Sequence, residues 1–503
     1  MVYNFNNLVI LDLANNHQGD VEHGLTIIRE YGSLLKKTES SGLKGAIKLQ
    51  LRNLDSIIHP SKTIQNKNSY LKRFQDTALT FGEHKQLVEE IKKQGLLVVA
   101  TPFDEESVDT ANKLGVDILK VASCSSADMP LISYIAKQNK PIIVSTAGLR
   151  LPELDRTVYY LKGQQIDFAL LHCVAIYPTK ISDMELNQIQ LLKKRYPDIP
   201  IGFSSHELPG SRFGGPLAYA KGAVIFERHI GLETETHKIN KYSMQLNDLR
   251  NWLSSLIIAK NSCGKDIRHP AKQEEKDALN TFKRGVYAKT TLKKGDRLKR
   301  SDVFFAMPLL EDQLPVERYN VNLITDTTIK KNQPVPNNLM LQEKKSTEET
   351  IREILLETRG LINQAHLVVN KDSKINLSHH YGLERFREYG AVVIECINRE
   401  YCKKIIIQLP GQKHPYHYHK QKEEMFQLLY GDMTAILEGK EVKLDLGETL
   451  LVKPGKWHSF YTLQGGIFEE VSTTQYADDS VYDDEYININ NKRKTSIGIE
   501  GLL

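Results

Sequence analysis

Residues Leu96–Ser126 read LLVVATPFDEESVDTANKLGVDILKVASCSS. An apolar run, Leu96 to Ala100, stops at Thr101-Pro102. An amphipathic stretch follows, with Val108, Ala111, Asn112 and Leu114 on neighbouring turns. A second apolar run, Asp117 to Val121, carries Lys120 near its end and Ser123 just beyond it. Strand, helix, strand with short loops is a right-handed parallel crossover. Its polar residues gather where the strands stop, the end at which α/β folds hold ligands. One lysine and several hydroxyls there suit a phosphate or a carboxylate. A salt-bridged lysine among ordinary loop hydroxyls would give the same pattern.

The rhythm extends in both directions. Further apolar runs occur at Leu8 to Leu13, Ala46 to Leu49, Ile142 to Val144, Phe168 to Leu171, Ile199 to Phe203 and Ala223 to Phe226. Helical patterns lie between them, for example Glu83 to Gln94 and Leu131 to Gln138. Eight alternations in about 260 residues predict a closed (β/α)8 TIM barrel over residues 1–265, with an open doubly wound sheet as the alternative. Polar side chains follow each run: Asp12, Asn15 and His17; Lys48 and Gln50; Thr101; Lys120 and Ser123; Ser145; Tyr177; Ser204 and His206; Glu227, Arg228 and His229. On a barrel these strand ends share one mouth, and eight in a row point to a binding site. His206 and His229 end adjacent strands, so their imidazoles can share one ion with positions left open for water and substrate. Lys48 and Lys120 can reach one anion pocket, with the hydroxyls as neutral donors.

A chain of 503 residues exceeds one ordinary core, and its net charge of +5 is spread along its length. That argues against a dedicated nucleic-acid surface and says little about substrate. Cys124, Cys173, Cys263, Cys396 and Cys402 are scattered without paired ligand spacing and read as reduced thiols. The N-terminus lacks the pattern of a signal peptide, and no apolar run approaches a membrane span. A cytoplasmic protein without membrane or nucleic-acid partner is expected.

Beyond the barrel the pattern changes. Residues 266–283 read as a polar linker. Residues 284–343, with short strands and Lys-Gly-Asp turns, predict a small β-rich unit. Within a second linker, 344–378, Ser346 to Ile362 (STEETIREILLETRGLI) predicts a capped helix. Residues 379–476 turn to strands. There His417 and His419 alternate on one strand face, Glu424 follows, and His458 comes from a second hairpin. Three imidazoles and a carboxylate make a complete divalent site, with Glu423 as the other possible carboxylate. Residues 477–503 carry an acidic then a basic block and read as a solvated arm without chemistry.

The segments LANNHQGD, AIKLQ, ATPFDEESVD, LKVAS, VSTAG, LHCVAIYPT, GFSSH and ERH resemble, in order and spacing, the motifs of the sialic acid synthase family, over residues 1 to about 345. The resemblance implies a barrel that condenses phosphoenolpyruvate (PEP) with an aldose, giving a 3-deoxy-2-ulosonic acid and phosphate. By it, Lys48, Thr101, Lys120, Ser123, Ser145 and Ser204 would hold PEP, and His206 and His229 a divalent metal, expected to be manganese. Asp12 would stand at the catalytic carboxylate, with Asn15, His17, Gln50 and Tyr177 toward substrate. Residues 284–343 resemble the family's antifreeze-like (SAF) domain. That implies a homodimer in which each small domain caps the partner's barrel, and a role in surface-polysaccharide synthesis.

The departures fall on the sugar side. Asp12 stands for a Glu, Ala175 for an Asn or Ser, Ser205 and Thr236 for Asp, and Met307 for the cap's Arg. The same reaction on a different aldose is expected, smaller or without an N-acetyl group. Gly411, His417, His419, Glu424 and Gly431, then Gly447, Gly455 and His458, resemble the two cupin motifs, which implies a C-terminal cupin β-barrel with a second divalent metal. The run HYHKQKEE also resembles cupin-type lyxose isomerases, with Lys422 at the place of their Lys. The implied role is to convert a ketose into the aldose that the barrel condenses. The competing readings are a metal-dependent sugar isomerase, or a sugar-binding protein, with a degenerate barrel.

Overall fold

The computed structural model describes residues 3–61, 70–265, 268–341, 346–370, 373–476, 478–490 and 492–498. Residues 266–267, 342–345, 371–372, 477, 491 and 499–503, read above as domain ends, linkers and tail, lie outside them. The chain divides into two compact units, Met1–Arg268 and His269–Leu503.

The first unit is a closed barrel of eight parallel strands: β1 (Leu8–Asp12), β2 (Lys44–Leu51), β3 (Leu97–Pro102), β4 (Ile118–Val121), β5 (Ile142–Ser145), β6 (Phe168–Cys173), β7 (Ile201–Ser205) and β8 (Ile225–His229). All eight expected strands form, and β8 pairs with β1 to close the ring. Several strands run further toward their C-terminal ends than the apolar runs indicated, and thereby take in the polar site residues.

Strand alternation divides each strand between two cores. One set, including Val9, Leu11, Ile47, Leu49, Val98, Ala100, Leu119, Val121, Val144 and Phe226, packs with the helices. The other set, Leu8, Ile10, Ala46, Val99, Ile118, Ile143, Ala169, Leu171 and Ile225, forms a separate core. It fills the barrel interior in layers. Gly202 belongs to this crowded layer. A Cβ there would lie 2.4 Å from Leu171 Cδ2 and 2.6 Å from the Ile225 backbone oxygen. One step further along the interior face, apolar side chains give way to Asp12, Lys48, Thr101, Lys120, Ser145, Cys173, Ser204 and Glu227, which line one cavity.

In the second unit, β9 (Gly285–Ala288) pairs with β10 (Val303–Ala306), and β11 (Leu323–Ile324) with β12 (Met340–Leu341). Val286, Leu292, Leu298, Val303, Leu314, Ile329 and Val335 give this small β-rich part its own core. The segment read as the first linker holds a helix, Gln273–Phe282. Its composition, QEEKDALNTF, favours helix more strongly than the flanking Gly and Pro oppose it.

The remainder is a two-sheet β-structure. Its strands are β13 (Lys374–His379), β14 (Gly390–Asn398), β15 (Tyr401–Gln408), β16 (His417–His419), β17 (Glu424–Gly431), β18 (Met433–Leu437), β19 (Lys440–Leu444), β20 (Thr449–Val452), β21 (His458–Tyr461), β22 (Gly466–Thr473), β23 (Ser480–Tyr482) and β24 (Lys494–Ile497). One sheet has the order β20-β17-β22-β15-β14-β13-β24, the other β19-β18-β21-β16-β23. Gly431 turns between β17 and β18 at φ +78°, where a Cβ would collide with the Gly465 carbonyl. Two expectations fail here. The helix Thr347–Gln364 does carry the expected capping box of Ser346 and Glu349, but it is no free linker. Ile354, Leu355 and Ile362 pack with Ile375, Leu377, Ile405 and Ile407 in one core. Nor is the C-terminal segment a solvated arm, since β23 pairs with β16 and β24 with β13.

Candidate functional sites

The barrel cavity has a volume of about 510 Å³ and is lined from all eight strands or their loops. At its floor Glu227 is the hub. Its Oε1 accepts from Lys48 Nζ at 2.7 Å, Lys120 Nζ at 2.5 Å and Ser204 Oγ at 3.1 Å, while its buried Oε2 has no partner. Lys48 Nζ also lies 2.9 Å from Asp12 Oδ2. All four charged groups are almost fully buried. The two lysines hold Glu227 well below the usual carboxylate range. Asp12 and Glu227 push Lys48 up, while burial and the neighbouring Lys48 pull Lys120 down. Two carboxylates against two ammonium groups leave the floor near neutral, with ammonium N–H groups fixed in place. Ser123 donates to Ser145 across 2.9 Å, and the buried Thr101 hydroxyl has no partner. A buried hydroxyl without a partner costs stability unless a ligand satisfies it.

Above the floor His206 and His229 stand with ring centroids 5.2 Å apart. His206 Nδ1 lies 3.1 Å from the Val174 carbonyl, so Nδ1–H donates there and Nε2 keeps its lone pair. Burial and His229 lower the His206 pKa to about 3, which keeps the ring neutral, as a metal ligand must be. His229 Nε2 lies 3.3 Å from Asp12 Oδ2, and its buried Nδ1 has no partner. Two neutral imidazoles and a nearby buried carboxylate are donor types that a divalent cation takes. Tyr177 packs on His206 at 4.2 Å, and Tyr242 approaches both histidines at 5.9 and 5.1 Å.

Most expected residues meet in this cavity: Asp12, Asn15, Lys48, Gln50, Thr101, Lys120, Ser123, Ser145, Tyr177, Ser204, His206 and His229 all line it. His17 does not. It is buried beside the entry to the first helix, and its Nδ1 accepts from the Gly19 N–H at 3.2 Å. Of the departures noted in sequence, Asp12 and Ala175 line the cavity; Ser205 and Thr236 do not. Ser205 accepts the Glu207 N–H, and Thr236 contacts His237, which stacks on His23. Sequence reading put Glu227 at the barrel mouth, two residues before His229 on the same strand face, but gave it no role; it left Arg52, Arg73, Asn240 and Tyr242 out of the site. Tyr242 comes from an irregular loop without a period to read.

The second site lies between β16, β17 and β21. The potential ligand atoms of His417, His419, Glu424 and His458 lie within 4.8 Å of one another, and all four residues are buried. Register explains part of this, since His417 pairs directly with His458. Each imidazole is fixed through Nδ1: His417 to the Pro415 carbonyl at 3.1 Å, His458 to the Lys456 carbonyl at 3.0 Å, and His419 to Ser480 Oγ at 3.2 Å. Asp479 Oδ2 is 3.4 Å from the same His419 nitrogen. Nδ1 thus carries the proton and Nε2 is left to bind. His458 Nε2 and Glu424 Oε1 approach to 2.6 Å without a hydrogen bond, so two lone pairs face one point. That is the donor set of a divalent cation. Glu424, not Glu423, is the carboxylate; Glu423 is exposed.

Lys422 is buried beside this site. Its Nζ lies 2.5 Å from Glu424 Oε2 and 3.0 Å from Glu470 Oε1, and Lys404 reaches Glu470 at 2.7 Å. The two carboxylates push Lys422 above its ordinary range. The lysines hold Glu470 down at about 2. Asp479, Ser480 and Glu470 were missed in sequence. The first two sat inside an acidic stretch that reads as solvated surface.

The NeuB family matches residues 35–268, and the Cupin domain matches residues 405–466. A spore coat polysaccharide biosynthesis protein E from Chromobacterium violaceum, of known structure, is 37% identical; the match covers 66% of this chain and 98% of that one, with a TM-score of 0.61. The N,N'-diacetyllegionaminic acid synthase of Campylobacter jejuni is 29% identical over 296 residues, 58% of this chain and 86% of its own. The human N-acetylneuraminate-9-phosphate synthase is 28% identical over 281 residues, 53% of this chain and 72% of its own. None of the described helices is long and apolar enough to cross a membrane. With a closed eight-stranded parallel barrel followed by a cupin domain, this chain belongs to the NeuB family.

Proposed function

We propose that the barrel condenses PEP with an aldose to give a 3-deoxy-2-ulosonic acid and inorganic phosphate. The observation that carries this reading is the floor itself: Lys48 and Lys120 converge on Glu227 amid Ser204, Ser123, Ser145 and the unpartnered Thr101 hydroxyl. Ammonium N–H groups braced by a shared carboxylate can bind a phosphate and a carboxylate without moving during reaction. The reaction joins the methylene carbon of PEP to the aldehyde carbon, adds a water oxygen at the neighbouring phosphate-bearing carbon and releases phosphate. The proton balance places one proton on the former aldehyde oxygen. His206 and His229 would hold a divalent cation, with manganese as the expected ion, and Asp12 lies against His229. Such a cation polarises a carbonyl oxygen and lowers the pKa of bound water. Asp12 stays ionised between Lys48 and His229, and orients Gln50 by accepting its amide at 3.2 Å.

The shorter Asp12 and the small Ala175 at the cavity wall support an aldose different from N-acetylmannosamine. Met307, where the resemblance would place an Arg, is 60% exposed and offers no donor. Residues 284–343 are proposed as the antifreeze-like cap of a cytoplasmic homodimer acting in surface-polysaccharide synthesis. Phosphate release from PEP across an aldose panel tests the reaction, and preference for N-acetylmannosamine contradicts the changed specificity.

A second reading concerns the cupin. The buried Lys404–Glu470–Lys422–Glu424 chain beside the four-ligand site supports proton transfer on a bound sugar, and hence an aldose–ketose isomerase that supplies the barrel. Aldose–ketose exchange by the full chain without PEP, lost in His419→Ala, is expected. Exchange that is absent with metal bound at the cupin leaves a binding domain.

A further inference from the structure

We infer that the acceptor sugar carries an anionic substituent, a phosphate ester or a carboxylate, gripped at the cavity mouth by Arg52 and Arg73. This rests on the condensation proposed above. The floor of the cavity is balanced, with Lys48 and Lys120 set against Asp12 and Glu227. Arg52 and Arg73 line the same cavity and add two cations, neither of which makes an ion pair among the described residues.

Arg52 is built into place. Its guanidinium lies 4.3 Å from the Phe74 ring centroid and 3.8 Å from that of Phe103. Packing against two rings leaves the guanidinium edge as the part that can meet a polar ligand. One edge N–H group donates to Gln50 Oε1 at 2.8 Å, and Gln50 donates in turn to Asp12. Burial lowers the Arg52 pKa only to about 10, so the charge persists at neutral pH. Arg73 comes from the helix Leu71–Asp76 and lines the cavity together with Tyr242.

Arg52 is thereby linked through Gln50 and Asp12 to His229, and Arg73 shares the cavity with Tyr242, which packs against both histidines. The hydroxyls proposed for PEP stand on β3, β5 and β7 or just beyond β4, whereas Arg52 follows β2 and Arg73 lies on a helix. A planar fork with free edge donors matches the paired oxygens of a phosphate or carboxylate, a match that a neutral sugar cannot use.

The test uses the full chain with manganese, PEP and three aldose sets: neutral sugars, their terminal phosphates and the corresponding uronic acids. Phosphate derived from PEP is read, and kcat/KM is expected to be at least roughly tenfold higher for one charged set. Which set wins distinguishes the phosphate from the carboxylate. Arg52→Gln and the surface variant Arg73→Gln should each raise KM for the charged aldose by about tenfold. KM for PEP should stay within about twofold. Turnover of neutral aldoses alone overturns the anionic substituent and leaves the condensation standing. A rise in KM for PEP rather than for the aldose assigns the guanidinium groups to PEP and also overturns it. No phosphate from any set overturns both.

Discussion

At the residue scale the barrel depends on one carboxylate. Glu227 faces two buried ammonium groups and a hydroxyl with a single oxygen. Glu227→Gln leaves Lys48 with Asp12 alone and Lys120 without a counter-charge. Phosphate release should fall about 100-fold. Unfolding free energy in urea should drop by about 3–5 kcal/mol, the usual cost of breaking a buried pair. Unchanged turnover would remove Glu227 from the site. His17, placed in the site by its motif, gives a different prediction. Burial, His84 and His23 lower its pKa from 6.5 to about 4. Between those values the unfolded chain binds more protons than the folded one, so stability falls as pH drops from 6.5 toward 4. His17→Asn should flatten that acid limb by up to about one proton. Equilibrium unfolding across this pH range measures it, and an unaltered slope refutes it. Strand alternation makes Glu227 legible from His229. Nothing local separates a histidine that faces a cavity from one, like His17, that braces the loop beside it.

At the scale of elements, the strands were readable because apolar runs must alternate with amphipathic helices to fill both faces of a barrel. Short polar strands were not. β23 is only Ser480–Tyr482, next to acidic residues, yet it pairs with β16 and sets Ser480 and Asp479 against His419. Asp479 also accepts the Gln421 and Lys422 backbone N–H groups, so it fixes the turn between β16 and β17. Its chemistry is invisible without the pairing. Asp479→Asn should weaken divalent-metal binding at the cupin about 10- to 100-fold. Titration of that metal in the full chain reads the effect. Phosphate release by the barrel should stay unchanged, and an undiminished cupin affinity would return β23 to a purely structural role.

At the scale of the whole molecule, each site is assembled inside its own unit, the barrel within Met1–Arg268 and the cupin within His269–Leu503. The barrel was legible from repetition, because eight strand ends repeat one polar pattern. The helix Thr347–Gln364 was legible as a helix but not in its role, because its burial partners lie in strands far along the chain. The central claim is that the Glu227-braced lysines and the histidine pair serve carbon–carbon bond formation with PEP. Mass spectrometry of the full chain's product from PEP, manganese and mixed aldoses tests it most directly. The account predicts an acid with the mass of one aldose plus pyruvate, formed with one phosphate per molecule and about 100-fold more slowly in Glu227→Gln. PEP left intact with every aldose, in a chain whose metal sites are filled, would contradict it.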